Sequence, residues 1–527
     1  MTVLALTTYD LLGLHEGAAL ERCAIVEREQ SLQYGELITL VDVLAARLAA
    51  LGVARGDRVI VHLPKSAHEV VAMFACFRIG AVAVNVNVQW TAEQLRYVAS
   101  DSGAGVAIMD ARRAAELLDG ARELPGALAR VIVRGDAPAR EGFEAWPERA
   151  NAQVPERRLL DSDLAAILYT SGSTGAPKGV MLTHLNLLLG ARSVARYLGM
   201  RADERVLSVL PFSFDYGMNQ LLTCCLLGAC LVLQPVTMPS EIVKTLVEQR
   251  ITGLAAVPPL WVQLVRYLVA VETELPALRY ITNSGGKIPA SVLEALPQVF
   301  PGVRLFLMYG LTEAFRSTYL APERFGQKRG SIGQAIPNVE TFVIVSGRGL
   351  AQPGEEGELV HRGSLISRGY WNKPEATAAK IKACPELRSL IGDEQVVFSG
   401  DRVKADADGD LWFIGREDGM IKSMGFRLAP SEVEDIVHGS GLVHEVVAFG
   451  VEDELAGQAV HVCVSPAGLE LDRQALMAHC RANMPHYMLP KQLHAWPGQM
   501  PRTASGKIDV PAVVRAVKSC RHGEVNV

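Results

Sequence analysis

The feature that most constrains this chain is a loop of small, hydroxyl-bearing and helix-breaking residues that follows a short apolar segment. Residues 164–169 are apolar and typical of a buried strand, and residues 170–177 form the loop. Lys178 comes next, and leucines at 182, 185, 188 and 189 then repeat at helical spacing. A strand, a Gly/Ser/Thr loop with a lysine, and a helix is the layout of a polyphosphate cradle.

Each residue type in this loop suits an anion. Glycine lets backbone N–H groups come close, hydroxyl groups add donors, and lysine adds a positive charge. Pro177 and Gly179 flank Lys178, so the loop is not a Walker A motif, which has Gly before the lysine and Ser or Thr after it. A plain surface turn is the alternative, but this composition is unusual for one. The predicted phosphate-binding residues are Thr170, Ser171, Gly172, Ser173, Thr174, Gly175 and Lys178.

Composition argues against several other classes of protein. Of the 527 residues, 49% are hydrophobic and 21% are charged, which supports a large globular core. The net charge of -5, without a long basic run, argues against nucleic acid as a partner. The nine cysteines are scattered without a C-x-x-C pair, so we expect reduced thiols in a cytoplasmic protein and no zinc site. The longest apolar run, residues 221–233, is too short for a membrane span, and the first residues do not resemble a signal peptide.

The order of apolar patterns predicts an α/β fold in two domains. Strand-like and helical segments alternate over residues 37–86 and again over residues 164–306, which predicts two doubly wound α/β subdomains. Residues 110–160 are poor in pattern and are predicted to be a variable surface segment. From about residue 333 the chain is strand-rich and punctuated by Gly and Pro, which predicts a small β subdomain. The pattern changes again near residues 415–420, so we expect an N-terminal domain, 1–417, and a small α+β C-terminal domain, 418–527.

Two further motifs place carboxylates after apolar strands. Glu313 stands beside the hydroxyl of Thr312, after a strand-like segment over residues 303–307. A carboxylate that faces a phosphate loop could hold Mg²⁺, which takes oxygen ligands from a protein carboxylate and from phosphates. Asp401 follows the strand predicted over residues 395–398, and a carboxylate that accepts from ribose hydroxyls is a common way to hold a nucleoside. Taken alone, Glu313 would more often be a surface carboxylate, and residues 399–401 a generic turn.

Together these motifs resemble those of the adenylate-forming superfamily. Residues 170–179 are similar to its phosphate loop, and the other motifs follow in the family's order from about residue 34 to residue 510. The superfamily comprises AMP-forming acyl-CoA synthetases, the adenylation domains of nonribosomal peptide synthetases and firefly luciferase. Residues 210–217, 281–287 and 309–319 most resemble acyl-CoA ligases associated with exosortase A systems, which accompany bacterial exopolysaccharide export clusters.

The resemblance implies a role for each motif. Glu313, with Thr174, would hold Mg²⁺, and Thr312 would contact the α-phosphate of ATP. The implied nucleoside-binding residues are Gly285, Gly286, Tyr309, Asp401 and Arg416, with the tyrosine over the adenine and the last two on the ribose.

The resemblance also implies that two lysines take turns in one cleft. Lys507 would act first, because a cation brought in by domain closure stabilises the charge that gathers as a carboxylate attacks the α-phosphate. Asp418 would be the hinge of a mobile C-terminal domain, and Gly419 beside it leaves the backbone unencumbered. After rotation, the loop with Lys422 and Gly425 would reach the site for the second half-reaction.

The acid pocket leaves the substrate class open. Asp215 aligns with the aspartate by which amino-acid-activating domains bind the substrate's ammonium, where many acyl-CoA synthetases have a His or another aromatic residue. A partly buried carboxylate prefers a cationic partner, which could be that ammonium or Arg316. If Arg316 pairs with Asp215, an uncharged acyl chain would fit; if Arg316 is unpaired, a second acidic group on the substrate becomes plausible. The predicted substrate-binding residues are Asp215, Tyr216, Asn219, Met308, Arg316 and Ser317.

The sequence therefore predicts an ATP- and Mg²⁺-dependent, AMP-forming carboxylate–thiol ligase. It would convert a carboxylic acid to acyl-AMP and pass the acyl group to the thiol of CoA or phosphopantetheine. The first alternative is an enzyme that adenylates an amino acid and loads it onto a carrier protein. A non-catalytic adenylate-binding module is the second alternative, which the joint presence of Glu313, Asp401 and Lys507 disfavours. The sequence leaves the oligomeric state open.

Overall fold

The structure is a computed structural model, and it describes most of the chain. The described residues are 6–118, 124–137, 140–149, 153–156, 158–170, 177–271, 273–286, 288–416, 419–468, 470–501 and 508–519.

The strands of the described residues, in chain order, are β1 (Cys23–Glu27), β2 (Gln30–Gln33), β3 (Arg58–His62), β4 (Val82–Asn85), β5 (Val106–Asp110), β6 (Arg130–Arg134), β7 (Phe143–Ala145), β8 (Leu164–Thr170), β9 (Lys178–Thr183), β10 (Arg205–Ser208), β11 (Cys230–Leu233), β12 (Gly253–Ala256), β13 (Tyr280–Asn283), β14 (Arg304–Tyr309), β15 (Thr318–Leu320), β16 (Gln334–Ala335), β17 (Val339–Val345), β18 (Gly349–Leu350), β19 (Glu356–Gly363), β20 (Ile381–Ala383), β21 (Gln395–Ala405), β22 (Leu411–Arg416), β23 (Ile421–Ser423), β24 (Phe426–Leu428), β25 (Val443–Asp453), β26 (Gly457–Pro466) and β27 (Gln492–Ala495).

The α-helices are α1 (Asp10–Gly13), α2 (Tyr34–Ala50), α3 (Ala67–Ile79), α4 (Ala92–Ser102), α5 (Ala111–Leu118), α6 (His184–Leu198), α7 (Asp215–Leu227), α8 (Pro239–Glu248), α9 (Pro258–Val271), α10 (Ala290–Val299), α11 (Pro374–Lys380), α12 (Arg388–Ile391), α13 (Pro430–His438), α14 (Arg473–Asn483) and α15 (Val510–Ser519). Along the stretches that the structure describes, no helix combines the length and the apolar character that crossing a membrane requires.

Two large, mainly parallel sheets form the first part of the molecule. One has the strand order β16-β15-β14-β13-β12-β10-β11-β1-β2, and the other has the order β7-β6-β5-β3-β4-β8-β9. Strands β2, β9, β15 and β16, at the edges, pair antiparallel. Parallel strands covered on both faces are apolar throughout, as in β11, where every residue is buried. One apolar core joins β1 and β3 to helices α2, α3, α6 and α7, so the two sheets share a packed centre.

Two smaller sheets follow. Strands β17 to β22 form an antiparallel sheet in the order β18-β17-β19-β21-β20, with β22 on β21. Strands β23 to β27 form the last sheet, in the order β24-β23-β26-β25, with β27 parallel to β26 and helices α13 and α14 packed on it. The predicted α/β class, with a small β subdomain and a small α+β C-terminal unit, is therefore confirmed. The boundary at residue 418 lies outside the described residues and stays a prediction.

The segment after the phosphate loop differs from the predicted helix. Lys178 begins β9, which pairs antiparallel with β8, and helix α6 begins only at His184. Val180 and Leu182 are both fully buried, as alternation along a strand allows. The leucine spacing therefore runs across two elements, and the loop joins two antiparallel strands instead of a strand and a helix.

Two other segments are more regular than expected. The stretch 110–160 contains β6 and β7, and residues 131–133 of β6 are fully buried, so this is a sheet edge and not only a surface segment. Strand β21 does not end before Ser399 but continues to Ala405. Gly400, with φ of 71°, lies where the pairing of β21 with β19 changes register, so Asp401 is carried inside a bulged strand.

Candidate active site

The two ends of the phosphate loop lie beside a cleft between the sheets. Thr170, at the end of β8, is paired with Lys178, at the start of β9. Thr170 lines a cavity together with Thr312 and Asp401. Ser171, Gly172, Ser173, Thr174 and Gly175 lie outside the described residues, so their contacts stay predictions.

Glu313 is a buried, ionised carboxylate at this cleft. It follows Thr312 in a short 3-10 turn after β14, and 4% of it is exposed. Its Oε1 accepts a hydrogen bond from Tyr370 at 2.6 Å, and its Oε2 lies 4.0 Å from Nη1 of Arg427. Burial alone would raise the pKa of Glu313, but nearby cations, with Arg427 first and Lys380 next, lower that pKa to about 2.

The surroundings of Glu313 fit a divalent cation. Its Oε2 has no hydrogen-bond partner among the described residues, and an ionised oxygen of this kind is a ligand that Mg²⁺ prefers. Lys178 is half-buried, and its Nζ lies 5.5 Å from the centroid of the Tyr370 ring. Burial lowers the pKa of Lys178, and the charge of Glu313 opposes that shift. Glu313 could therefore hold Mg²⁺ near the cationic side chain of Lys178.

Three of the residues predicted to bind the nucleoside, Gly285, Gly286 and Tyr309, line a second cavity. Met308 and Lys422 also line this cavity. The hydroxyl of Tyr309 donates to Asp401, and its ring stacks on His361 with 13° between the planes. Arg416, in β22, is the backbone partner of Asp401, and its side chain lies outside the described residues. The sulfur of Met308 also accepts a hydrogen bond from the hydroxyl of Tyr197 at 2.9 Å, and its place in the acid pocket stays a prediction.

The small C-terminal sheet places a hairpin in the cleft. Lys422 lies in β23, and Lys422, Gly425 and Arg427 all line the cavity that also contains Asp401 and Thr312. Lys507 and Asp418 fall outside the described residues.

The contact between the lobes is close and specific. A Cβ built on Gly425 would lie 3.0 Å from Cγ1 of Val257 in the large domain. Trp90 donates its indole N–H to the hydroxyl of Tyr487 at 2.9 Å, across 397 residues of chain. The lysine hairpin is therefore docked in the site.

The predicted acid pocket contains two side chains of opposite charge, Asp215 and Arg316, that do not form an ion pair among the described residues. Asp215 begins α7 and Arg316 follows the 3-10 turn of Glu313, and both line the first cavity. Burial raises the pKa of Asp215, which the charge of Arg316 opposes. Within the part of the chain that the structure describes, no ion pair within 4.0 Å joins them. Instead, the guanidinium carbon lies 4.8 Å from the ring centroid of Tyr216.

The other residues predicted to line the acid pocket are also buried. The hydroxyl of Tyr216 shares a 2.5 Å hydrogen bond with Thr282, which holds its ring under Arg316. Asn219 and Ser317 are buried, and Nδ2 of the first and Oγ of the second have no hydrogen-bond partner in the described chain.

Sequence reasoning missed several residues that complete the site. Arg427, Tyr370, Trp90 and Tyr487 come from segments without a recognisable motif, and only the fold brings them to the cleft. Phe315 could have been suspected from the sequence, because it is an aromatic residue directly before Arg316. Its φ of 50° is unusual for a residue with a side chain.

Another acidic group is not part of this site. Asp406, Asp408 and Asp410 could group around a cation, since their ligand atoms lie within 4.8 Å of one another. Lys328 already lies 2.8 Å from Asp406 and 2.6 Å from Asp408, and Arg324 pairs with Asp410. Two cationic side chains of the protein therefore already pair with these three carboxylates.

This fold and cleft define an enzyme of the adenylate-forming class, in which a large and a small lobe enclose one nucleotide site. Comparison with known proteins agrees. The AMP-binding enzyme family matches residues 16–371, and the AMP-binding enzyme C-terminal domain matches residues 432–507. The chain therefore belongs to the AMP-binding enzyme family.

Two curated relatives differ in length. The chain is 31% identical to a linear gramicidin synthase polypeptide of Brevibacillus parabrevis over 92% of its own length, but it spans only 6% of that protein. It is 30% identical to the indoleacetate–CoA ligase of Aromatoleum aromaticum and covers 95% of that protein, with 94% of its own length matched.

Two solved structures of one enzyme match the fold of this chain. The o-succinylbenzoate CoA synthetase (MenE) of Bacillus subtilis is 24% identical. A double mutant bound with the product analogue OSB-NCoA superposes with a TM-score of 0.82, covering 96% of this chain and 98% of that one. The same enzyme in complex with AMP superposes with a TM-score of only 0.67, over 96% and 97% of the two chains. The chain therefore has the fold of this enzyme and superposes better on the first of the two structures.

Proposed function

We propose that this chain is an ATP- and Mg²⁺-dependent ligase that joins a carboxylic acid to the thiol of CoA through an acyl-adenylate. The observation that carries the proposal is a single cleft in which Thr312 and Asp401 of the large domain face Lys422 and Arg427 of the small lobe. The acid–thiol ligase type agrees with the CoA ligase that matches the chain along nearly its whole length.

In the first half-reaction, a carboxylate oxygen of the acid bonds to the α-phosphorus of ATP, and pyrophosphate leaves. Lys178 would neutralise phosphate charge, Thr312 would donate to the α-phosphate, and Asp401 would accept from the ribose hydroxyls. Lys507 would stabilise the charge that develops in the transition state. Mg²⁺ bound at Glu313 would supply further charge neutralisation on the phosphates.

In the second half-reaction, the thiol sulfur bonds to the acyl carbon, and AMP leaves. Lys422 and Arg427 would then stabilise the phosphate of the departing AMP. A further cavity between the lobes is lined by Pro64, Val88, Met424 and other residues, and it would offer a pantetheine arm a route to the cleft. Asp418 would be the hinge that exchanges the two lysines, at the boundary between domains 1–417 and 418–527.

CoA is the acceptor that we propose, and a phosphopantetheine on a carrier protein is the alternative. The support for CoA is that the chain covers 95% of a CoA ligase but 6% of the gramicidin synthase polypeptide. We also propose a cytoplasmic location, because ATP and CoA would be cosubstrates and the eight described cysteines are free thiols.

Pyrophosphate exchange tests the first step. The protein with ATP and Mg²⁺ should exchange labelled pyrophosphate into ATP when a suitable acid is present. A panel of fatty, aryl, α-amino and β-amino acids would identify the acid class. CoA or a carrier protein is then added, and mass spectrometry reports which thiol carries the acyl group. Exchange with no acid of the panel would support a binding module instead.

A further inference from the structure

The geometry points to an acid that carries a second anionic group, with Arg316 as the residue that binds it. This inference rests on the proposed function, and it names the substrate class of the same cleft. It chooses among the alternatives that the sequence leaves open at Asp215.

Arg316 is a buried cation with donor atoms that no acceptor of the described residues contacts. It is 3% exposed, and its Nε and Nη2 atoms have no hydrogen-bond partner among the described residues. Its contacts are the faces of Tyr216, at 4.8 Å, and Phe315, at 5.8 Å. Aromatic faces attract a guanidinium, but they leave its hydrogen-bonding donors unused. A buried guanidinium whose donors have no hydrogen-bonded anion is costly, so a ligand that supplies such an anion would bind with a large gain.

Asp215 needs a partner less than Arg316 does. Burial raises the pKa of the Asp215 carboxyl, at the first turn of α7, although the charges of Arg316 and Lys422 oppose that rise. This carboxyl can therefore lower its charge by keeping its proton, which a guanidinium cannot do by losing one. The missing group in this pocket is therefore an acceptor for a guanidinium and not a donor for a carboxylate.

The backbone also holds Arg316 in place. Phe315 adopts φ of 50° and ψ of −50°, a conformation that a side chain makes unfavourable. Its ring is fully buried, against Gly190 of α6, where even one added methyl carbon would lie 2.4 Å from the ring. This packing fixes the turn and so holds the guanidinium over Tyr216.

The test compares acids that differ only in the second charge. Straight-chain and aryl dicarboxylic acids are each paired with their own half-methyl ester, and kcat/KM is measured by pyrophosphate exchange. At the best chain length we expect the wild-type protein to prefer the diacid by about 10- to 100-fold, because a charge-assisted, desolvated hydrogen bond is lost in the ester. In Arg316→Gln, with folding checked by thermal unfolding, this preference should fall to within about threefold. If that variant does not fold, the wild-type ratio alone decides whether the acid carries a second anionic group.

The possible results distinguish a failure of this inference from a failure of the proposed function. A wild-type protein that uses the half-ester, a plain monocarboxylic acid or an α-amino acid as well as the diacid would overturn the inference and leave the ligase proposal intact. An amino-acid preference that Asp215→Asn abolishes would assign the pocket to an ammonium instead. Exchange with none of these acids would overturn the proposed function itself, and this inference with it.

Discussion

Replacing Gly425 by alanine should slow thioester formation and spare adenylation. In the docked hairpin, the added Cβ would meet three atoms of Val257, at 3.0, 3.1 and 3.2 Å. Overpacking of this kind costs about 1–3 kcal/mol, which lowers the docked population by about 5- to 150-fold. The penalty applies only when the hairpin lies against the large domain, so the first half-reaction should be unaffected by it.

The backbone strain of an alanine at position 425 must be separated from its steric contact with Val257. Gly425 has φ of 85°, so a side chain there costs about 1–2 kcal/mol whether or not the lobe is docked. Gly441, at φ of 69° in the same lobe, has no atom within 4 Å of an added Cβ. Gly441→Ala is therefore a matched control for the backbone strain without the contact.

Two assays on the same preparations distinguish the half-reactions. Pyrophosphate exchange reports adenylation, and a rapid-quench experiment with preformed acyl-AMP and CoA reports thioester formation. Adding Val257→Ala to Gly425→Ala should restore part of the thioester rate, since it removes both Cγ atoms. Equal effects of Gly425→Ala on both half-reactions, or an equal loss of thioester formation in Gly441→Ala, would refute the reasoning.

Three further outcomes follow from the described contacts. Tyr487→Phe leaves the indole N–H of Trp90 without its acceptor, so rapid-quench measurements should show thioester formation slowed by about 5- to 30-fold with exchange unchanged. Burial raises the pKa of Glu432 to about 8, so the folded protein keeps a proton that the unfolded chain releases above pH 4.5, and stability is lost as the pH rises toward 8. Glu432→Gln should therefore raise the thermal unfolding midpoint more at pH 8 than at pH 5, and an equal rise at both would contradict this pKa. Gly190→Ala drives a methyl group into the ring of Phe315 and should lower the free energy of unfolding by about 1–3 kcal/mol in urea, whereas no loss would mean that the ring can move.

Much of the fold could be predicted because it depends on local patterns. Apolar runs bounded by Gly and Pro predict parallel strands, and the strand before Glu313 and the α+β unit after residue 420 follow from them. The first turn of α6 was misplaced because leucine at 182 fits a helical spacing as well as a strand alternation. Such ambiguity is inherent in short apolar runs.

The site was only partly predictable, because much of it depends on distant contacts. Glu313 and Asp401 stand in motifs, but Tyr370, which donates to the first, and Arg427, whose charge lowers its pKa, do not. Likewise, the sequence could pose the question of whether Arg316 pairs with Asp215. The sequence could not answer this question, because the answer depends on the distance in space between two residues that are 101 positions apart in the chain.

The nucleotide products test the account most directly. The protein is incubated with ATP, Mg²⁺, CoA and the best acid of the panel, and the products are measured by ion-pair chromatography and mass spectrometry. The account predicts AMP, pyrophosphate and acyl-CoA in equal amounts, all dependent on the acid. Formation of ADP and orthophosphate, or of a thioester without AMP, would contradict it.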